Sequence, residues 1–334
     1  MNEYYYSKLQ CNEQVYYKKI LDAISKGESN VKLFSFVNSE VMTRIVTAVN
    51  YDHPELFFVD FRHLNFLGTP LGVVYQINYN VGTGRRTILI DELERKISGI
   101  LEMASRNNLQ GQYEKCRWIH NYLVKNIRYN YAALQKPDDY PDSFGIRGTL
   151  IDGLAVCEGI SKTFKLLCDR LGVDALIVFG TSSQATLGVN IDHAWNMVKF
   201  NEDYVHVDVT WDIGMSESSR FMRYDYFCIS DQWMMIDHIY DSFPFCTTNA
   251  YSYFEKRNRV FSNCKELQRY LDVEMQKNSK VLYFKIKKSK CDLILIQKKI
   301  QAQVSKTISA HTCTTYYLEM VPNLKQMCFF FRIK

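Results

Sequence analysis

Apolar residues recur at helical spacing from Glu13 to Ile24 and stop near Gly27, so residues 1–30 read as helical. Ser39 is placed to cap a second helix over 40–50, and Pro54 ends it before an apolar run, Leu56-Phe57-Phe58-Val59, that suits a strand. A further strand fits Val73–Tyr79, and a helix fits Asp91–Ala104. Over 112–127 one stripe carries Cys116, Ile119, Leu123 and Ile127, the mark of a helix packed on one side. A loop with Pro137, Pro141, Gly145 and Gly148 follows, and loops of that length inside a compact domain are often functional. Val156–Leu171 is again helical, with Ile160, Phe164, Leu167, Cys168 and Leu171 on one face and Gly172 suited to the position just past its end. Ala175–Phe179 reads as a short strand. Ala194–Phe200 and Tyr204–Trp211 read as two more, joined by the polar turn Asn201-Glu202-Asp203. Beyond them, helices fit 262–276 and 294–308, and strands fit 281–286, 313–319 and 328–333.

Composition changes this picture in two ways. With 334 residues, 47% hydrophobic and 14% aromatic, the chain can bury several packed units and is not a disordered protein. Its net charge of +5 is uneven: from Cys246 onward there are 17 Lys and Arg against 6 Asp and Glu, and no glycine. That shift places a domain boundary near residue 246 and sets off a basic α+β domain over 246–334; ahead of it the reading is an N-terminal α+β segment over 1–110 and a core over 111–245. The basic run Lys285-Ile-Lys287-Lys288-Ser-Lys290 reads first as a solvated face and second as a patch for an anionic partner. No apolar run is long enough for a membrane span, the N-terminus has no secretory pattern, and the ten cysteines show no CxxC pair. These features point to reduced thiols, a cytoplasmic location, and neither a structural zinc nor a cofactor.

Candidate chemistry centres on Cys157. It falls in the first turn of its helix, where free backbone N–H groups and the helix dipole favour an anion such as a thiolate. It also lies on the apolar stripe, so a small buried core thiol is the plain alternative. His193 and Asp208 flank the two-strand turn, and any even-length turn sets them on one face, opposite or one diagonal step apart. An aspartate held against an imidazole fixes its tautomer and stabilises the imidazolium, and the histidine can then serve a nucleophile. His206 shares the face of Asp208 and competes as a base. His238 fits a packing or hydrogen-bonding role, and Cys168 fits the core.

Three blocks, Gly153-Leu-Ala-Val-Cys157-Glu-Gly159-Ile-Ser, His193-Ala-Trp-Asn196 and Tyr204-Val-His-Val-Asp208-Val-Thr-Trp211-Asp212, together resemble the transglutaminase-like superfamily. The resemblance runs from about 112 to 240, and His53-Pro54-Glu55-Leu56-Phe57 is similar to uncharacterised bacterial members. It implies an α+β fold with a papain-like core, in which the Cys-bearing helix packs on an antiparallel sheet, flanked by N- and C-terminal α/β segments. It also implies Cys157 as nucleophile, His193 as general acid/base and Asp208 as orienter, forming a thioester with a protein or peptide substrate. Peptidase, deamidase and transglutaminase-type acyl transfer share that triad, and a binding or scaffold protein that keeps the fold is the alternative. One oxyanion donor is expected from the Cys157 N–H. Trp195, Tyr129 and Tyr131 are candidates for the second donor or for cleft walls, with core packing the competing role of each.

Overall fold

The computed structural model describes residues 3–33, 38–70, 72–184, 189–241, 243–287, 292–312 and 315–334. Lys288 and Lys290 of the basic run, and the start of the strand expected at 313–319, lie outside the described residues. The chain is mixed α+β with antiparallel sheet. It divides into two compact units, Met1–Phe179 with His193–Glu202, and Gly180–Asp192 with Asp203–Lys334.

The first unit opens with α1 (Tyr4–Lys8), α2 (Cys11–Lys26), β1 (Asn30–Leu33), α3 (Ser39–Asp52), β2 (Asn65–Thr69), β3 (Gly72–Gln76) and α4 (Thr83–Ser105). Gly27 closes α2 at φ 72°, a left-handed turn that favours glycine. The cap of α3 is Asn38, whose side chain accepts from the Val41 N–H, so Ser39 is the first helical residue and not the cap. β1, β3 and β2 form an antiparallel sheet, and Tyr17, Ile20, Ile24, Ile45, Val49 and Tyr75 are buried in one core. The apolar run at 56–59 makes no strand. It contributes a single bridge, Val59 to Tyr79, because turns occupy the residues before it.

Asp52, at the end of α3, is fully buried and accepts from the Tyr5 N–H at 3.0 Å, the Tyr6 N–H at 2.8 Å and the Tyr17 hydroxyl at 3.2 Å. Burial raises its carboxyl to about 6 although these donors pull the other way. Between about pH 4 and 6 the folded chain keeps a proton that the unfolded chain has released. The stability from this group is therefore complete below about pH 4 and is lost as pH rises through 6, by about 2–3 kcal/mol. Denaturant titrations at pH 4.5 and 7.5 check this: the pH difference is expected to shrink by that amount in Asp52→Asn.

The same unit continues through α5 (Gly111–Asn126), β4 (Arg128–Tyr129), α6 (Tyr131–Gln135), β5 (Leu154–Ala155) and α7 (Cys157–Arg170), and holds the first half of β6 (Asp174–Gln184) and the second part of β7 (Val189–Phe200), whose remaining residues fall in the second unit. From Gly159 to Cys168 every residue of α7 is buried. That includes Lys165, whose ammonium is closed by Asp169 at 2.6 Å one turn on. An amphipathic reading gives α7 one apolar face, and packing covers its other face as well.

The second unit holds β8 (Asp203–Val207), α8 (Val209–Ser219), β9 (Phe227–Ile229), α9 (Asp231–Met234), β10 (His238–Ile239), β11 (Val260–Phe261), α10 (Cys264–Gln276), β12 (Val281–Ile286), α11 (Leu293–His311), β13 (Leu318–Asn323) and β14 (Cys328–Ile333). The strand expected over Tyr204–Trp211 ends at Val207, and a helix begins at Val209. Asp208 causes the change, because its side chain caps that helix by accepting from the Trp211 N–H at 3.0 Å. The last strand before β14 starts at Leu318, later than expected.

The strand order of the largest sheet is β10-β6-β7-β8-β9. β8 and β9 run antiparallel with a register shift at His206 and Val207, and Cys228, at φ 56°, is the extra residue. A second sheet, β11-β12-β14-β13, packs Phe284, Phe329 and Phe331 against Leu267, Leu271 and Val304 of α10 and α11. On the other face of β12 the Tyr283 hydroxyl donates to Asp225. The Asp225 carboxylate is gripped at 2.8 and 3.0 Å by the fork of the fully buried Arg223.

Candidate active site

In the first unit, two short parallel strands bring the approach to Cys157 into place: Tyr129 of β4 stands beside Ala155 of β5, and the Asn130 N–H donates to the Ala155 carbonyl at 3.0 Å. Two residues later α7 begins with Cys157, and no side chain caps it, so its first N–H groups are left for other acceptors. Cys157 and Glu158 are the half-buried start of a helix whose next ten residues are buried. Gly159 explains the glycine two residues after the cysteine. A Cβ there would run into the Ser143 carbonyl oxygen and stand 3.0 Å from that of Gly145 and 3.2 Å from the Thr149 hydroxyl. The helix can therefore approach the 143–149 backbone only without a side chain at 159.

Tyr129 lies within hydrogen-bonding reach of both the thiol and the backbone N–H of Cys157. Burial, and then the neighbouring Cys157, push its phenol well above the ordinary value, so it stays protonated. Tyr131 packs edge-on against it at 4.9 Å and is itself 66% exposed, which suits a wall and not a core. Tyr51 is a neighbour that the sequence did not single out. Its phenol is raised by burial first and then by Glu158 and Cys157. Glu158 in turn pairs with Lys162 at 2.8 Å.

On β7, His193 is buried, 6% exposed, with its ring stacked on Trp195 at 5.7 Å. Trp195 is 1% exposed, in line with the packing role weighed for it. Asn196 ties this strand to the cysteine helix: its amide donates to the Ser161 carbonyl at 3.0 Å and to that of Leu176 at 3.3 Å. Ser161 donates from its hydroxyl to the Cys157 carbonyl at 2.8 Å. The asparagine of His193-Ala-Trp-Asn196 is thus a structural peg for α7. Cys168 is fully buried, as expected of a core residue.

In the second unit Asp208 is fully buried. Besides capping α8, its carboxylate meets the His238 Nε2 at 3.1 Å. His238 Nδ1 meets Asp237 at 2.7 Å, and the other Asp237 oxygen accepts from the Tyr226 hydroxyl at 2.8 Å. Sequence reasoning allowed His238 a hydrogen bond but missed its partner. The signal was the adjacent pair Asp237-His238, which offers a carboxylate to one ring nitrogen and so directs the other outward.

His206, the competing base, is fully buried. Its Nε2 meets Asp231 and the Tyr240 hydroxyl, each at 2.9 Å. Burial lowers its pKa against the pull of Asp231. Burial also opposes the Asp231 charge, but donors from His206, Tyr240 and the Cys246 N–H outweigh it and hold that carboxyl below the usual range. His206, Asp231 and Cys246 offer ligand atoms within 4.8 Å of one another, yet these hydrogen bonds close the group on itself. No helix among the described residues is long and apolar enough to cross a membrane.

Residues 102–209 match the transglutaminase-like superfamily, and the chain carries a core domain of that superfamily. Among characterised relatives it is similar to the kyphoscoliosis peptidase of Homo sapiens, 25% identical over 162 residues, and to that of Mus musculus, 24% identical over 159 residues. These stretches are 46% and 44% of this chain and 23% of each relative, so the chain spans less than a quarter of the length of the curated relatives it matches. A solved structure described as the crystal structure of a TGase is similar at a TM-score of 0.32 and 13% identity, over 54% of this chain and 50% of that one.

Proposed function

We propose that the chain performs cysteine-dependent amide-bond chemistry on a papain-like core, with Cys157, His193 and Asp208 as its triad. The observation that carries this reading is the half-buried Cys157 at the uncapped start of a helix whose residues 159–168 are all buried. The superfamily match over residues 102–209 supports it. The Cys157 thiolate attacks the carbonyl carbon of an amide. His193, having taken the thiol proton, returns it to the departing amine as the C–N bond breaks, which leaves a thioester. Water then attacks while His193 takes its proton, the C–S bond breaks, and the thiol is regenerated with a carboxylic acid as product. An amine in place of water yields a transferred amide, so the acceptor alone separates peptidase or deamidase from transglutaminase chemistry.

Asp208 orients the imidazole. A carboxylate can accept about four hydrogen bonds, so the bonds from Trp211 and His238 leave it capacity for a third partner. Tyr129, held protonated, supplies a donor for the oxyanion beside the Cys157 N–H, and the exposed Tyr131 lines the approach. A protein or peptide is the substrate class.

Selective alkylation is the test. A limiting dose of iodoacetamide near neutral pH, followed by peptide mapping, is expected to label Cys157 ahead of the exposed Cys11 and Cys264. Labelling of Cys157 no faster than those two would count against an activated thiol.

A further inference from the structure

The basic run of the sequence hides a residue that does not belong to a solvated face. Lys285 is 4% exposed, in β12 on the face it shares with Tyr283. Other buried cations of this chain are closed by acceptors: Lys165 by Asp169, and Arg223 by Asp225 and the Val321 carbonyl. Lys285 has no such closure among the described residues. Its ammonium lies 3.6 Å from the ring centroid of Trp233, and the carboxylates of Asp225, Asp237 and Asp212 reach it only through space. Burial draws its pKa below that of an ordinary lysine. An aromatic face offsets part of the cost of burying an ammonium but accepts no conventional hydrogen bond, so its N–H donors have no protein acceptor among the described residues.

Those donors border a cavity of about 240 Å³, lined by Trp233, Asn249, Ser252, Glu255, Lys285 and Lys287 among others. Asn249 uses its side-chain oxygen to accept from the Ser230 N–H at 3.1 Å, which leaves its amide N–H groups for the cavity. Ser252 is 4% exposed and Lys287 stands at the exposed rim. The cavity thus gathers two ammonium groups, two amides (Asn249 and Gln232) and a hydroxyl against one carboxylate. It is smaller than the roughly 300–1,000 Å³ of pockets that take drug-sized ligands.

We propose that this cavity is a binding site for a small metabolite-sized molecule bearing an oxyanion, carboxylate or phosphate, which completes the coordination of Lys285 with help from Lys287 and Asn249. The site lies wholly in the second unit and needs none of the amide-bond chemistry assigned to Cys157.

Thermal unfolding of the full chain in chloride, phosphate and acetate at matched ionic strength tests it. The melting temperature is expected to rise saturably with inorganic phosphate if the ligand is a phosphate, or with acetate if it is a carboxylate. Lys285→Met keeps the stem and removes the charge. It is expected to melt higher than the parent in chloride and to weaken the anion response at least tenfold. Lys287→Ala, at an exposed position that does not threaten folding, is expected to weaken it several-fold. A parent chain with no saturable response to either anion overturns the proposal, as does an affinity unchanged in Lys287→Ala and in any Lys285→Met that folds.

Discussion

Replacing Gly159 with alanine is expected to cost about 3 kcal/mol of stability, more than an alanine at any open helical glycine of the chain. The added methyl would collide with the Ser143 carbonyl and crowd Gly145 and Thr149, and two of those three contacts are backbone, which cannot rotate away. The helix must then lift from the 143–149 segment, and Cys157, two residues earlier, moves with it. Gly99, inside α4, is the control: a Cβ there meets nothing within 4 Å, so Gly99→Ala is expected to stabilise by about 0.5–1 kcal/mol. Denaturant midpoints for the two variants decide the point. Gly159→Ala should also lose the fast alkylation of Cys157, while Gly99→Ala keeps it.

His193→Ala is expected to slow that alkylation about tenfold or more at neutral pH. In the proposed triad His193 is the base that takes the thiol proton, so its loss leaves the nucleophile without that partner. An unchanged melting temperature in His193→Ala separates a missing base from a damaged fold. Truncating Trp195 removes packing beneath the His193 ring and should lower the melting temperature as well.

The elements that sequence pattern located well are those whose periodicity and ends agree. β12 and β14 fall where expected, and α7 differs by a residue at each end, because apolar runs there are bounded by turn residues. The misreadings have local causes. Val205, Val207 and Val209 alternate as a strand should, but the Asp208 side chain turns back on the Trp211 N–H and converts the second half into α8. The pattern of α7 shows an apolar stripe and cannot show that Lys162 and Lys165 are buried too, since their partners Glu158 and Asp169 become partners only once the helix is covered. At the candidate site the cysteine and its helix start were legible, because position within a helix is a local property. The nearness of Tyr129 and the pairing of Asp208 with His238 were not, since each depends on strands and turns far apart in sequence. The basic run misled for the same reason: the tertiary fold, not the composition, puts Lys285 inside.

Asp208 starts a helix and anchors His238 in addition to its proposed place in the triad. A sibling chain that abandoned turnover would be free to discard its cysteine or its histidine long before this aspartate, because folding alone would go on selecting for it. Among relatives of this protein, an intact aspartate is therefore a witness to architecture and not to the proposed chemistry.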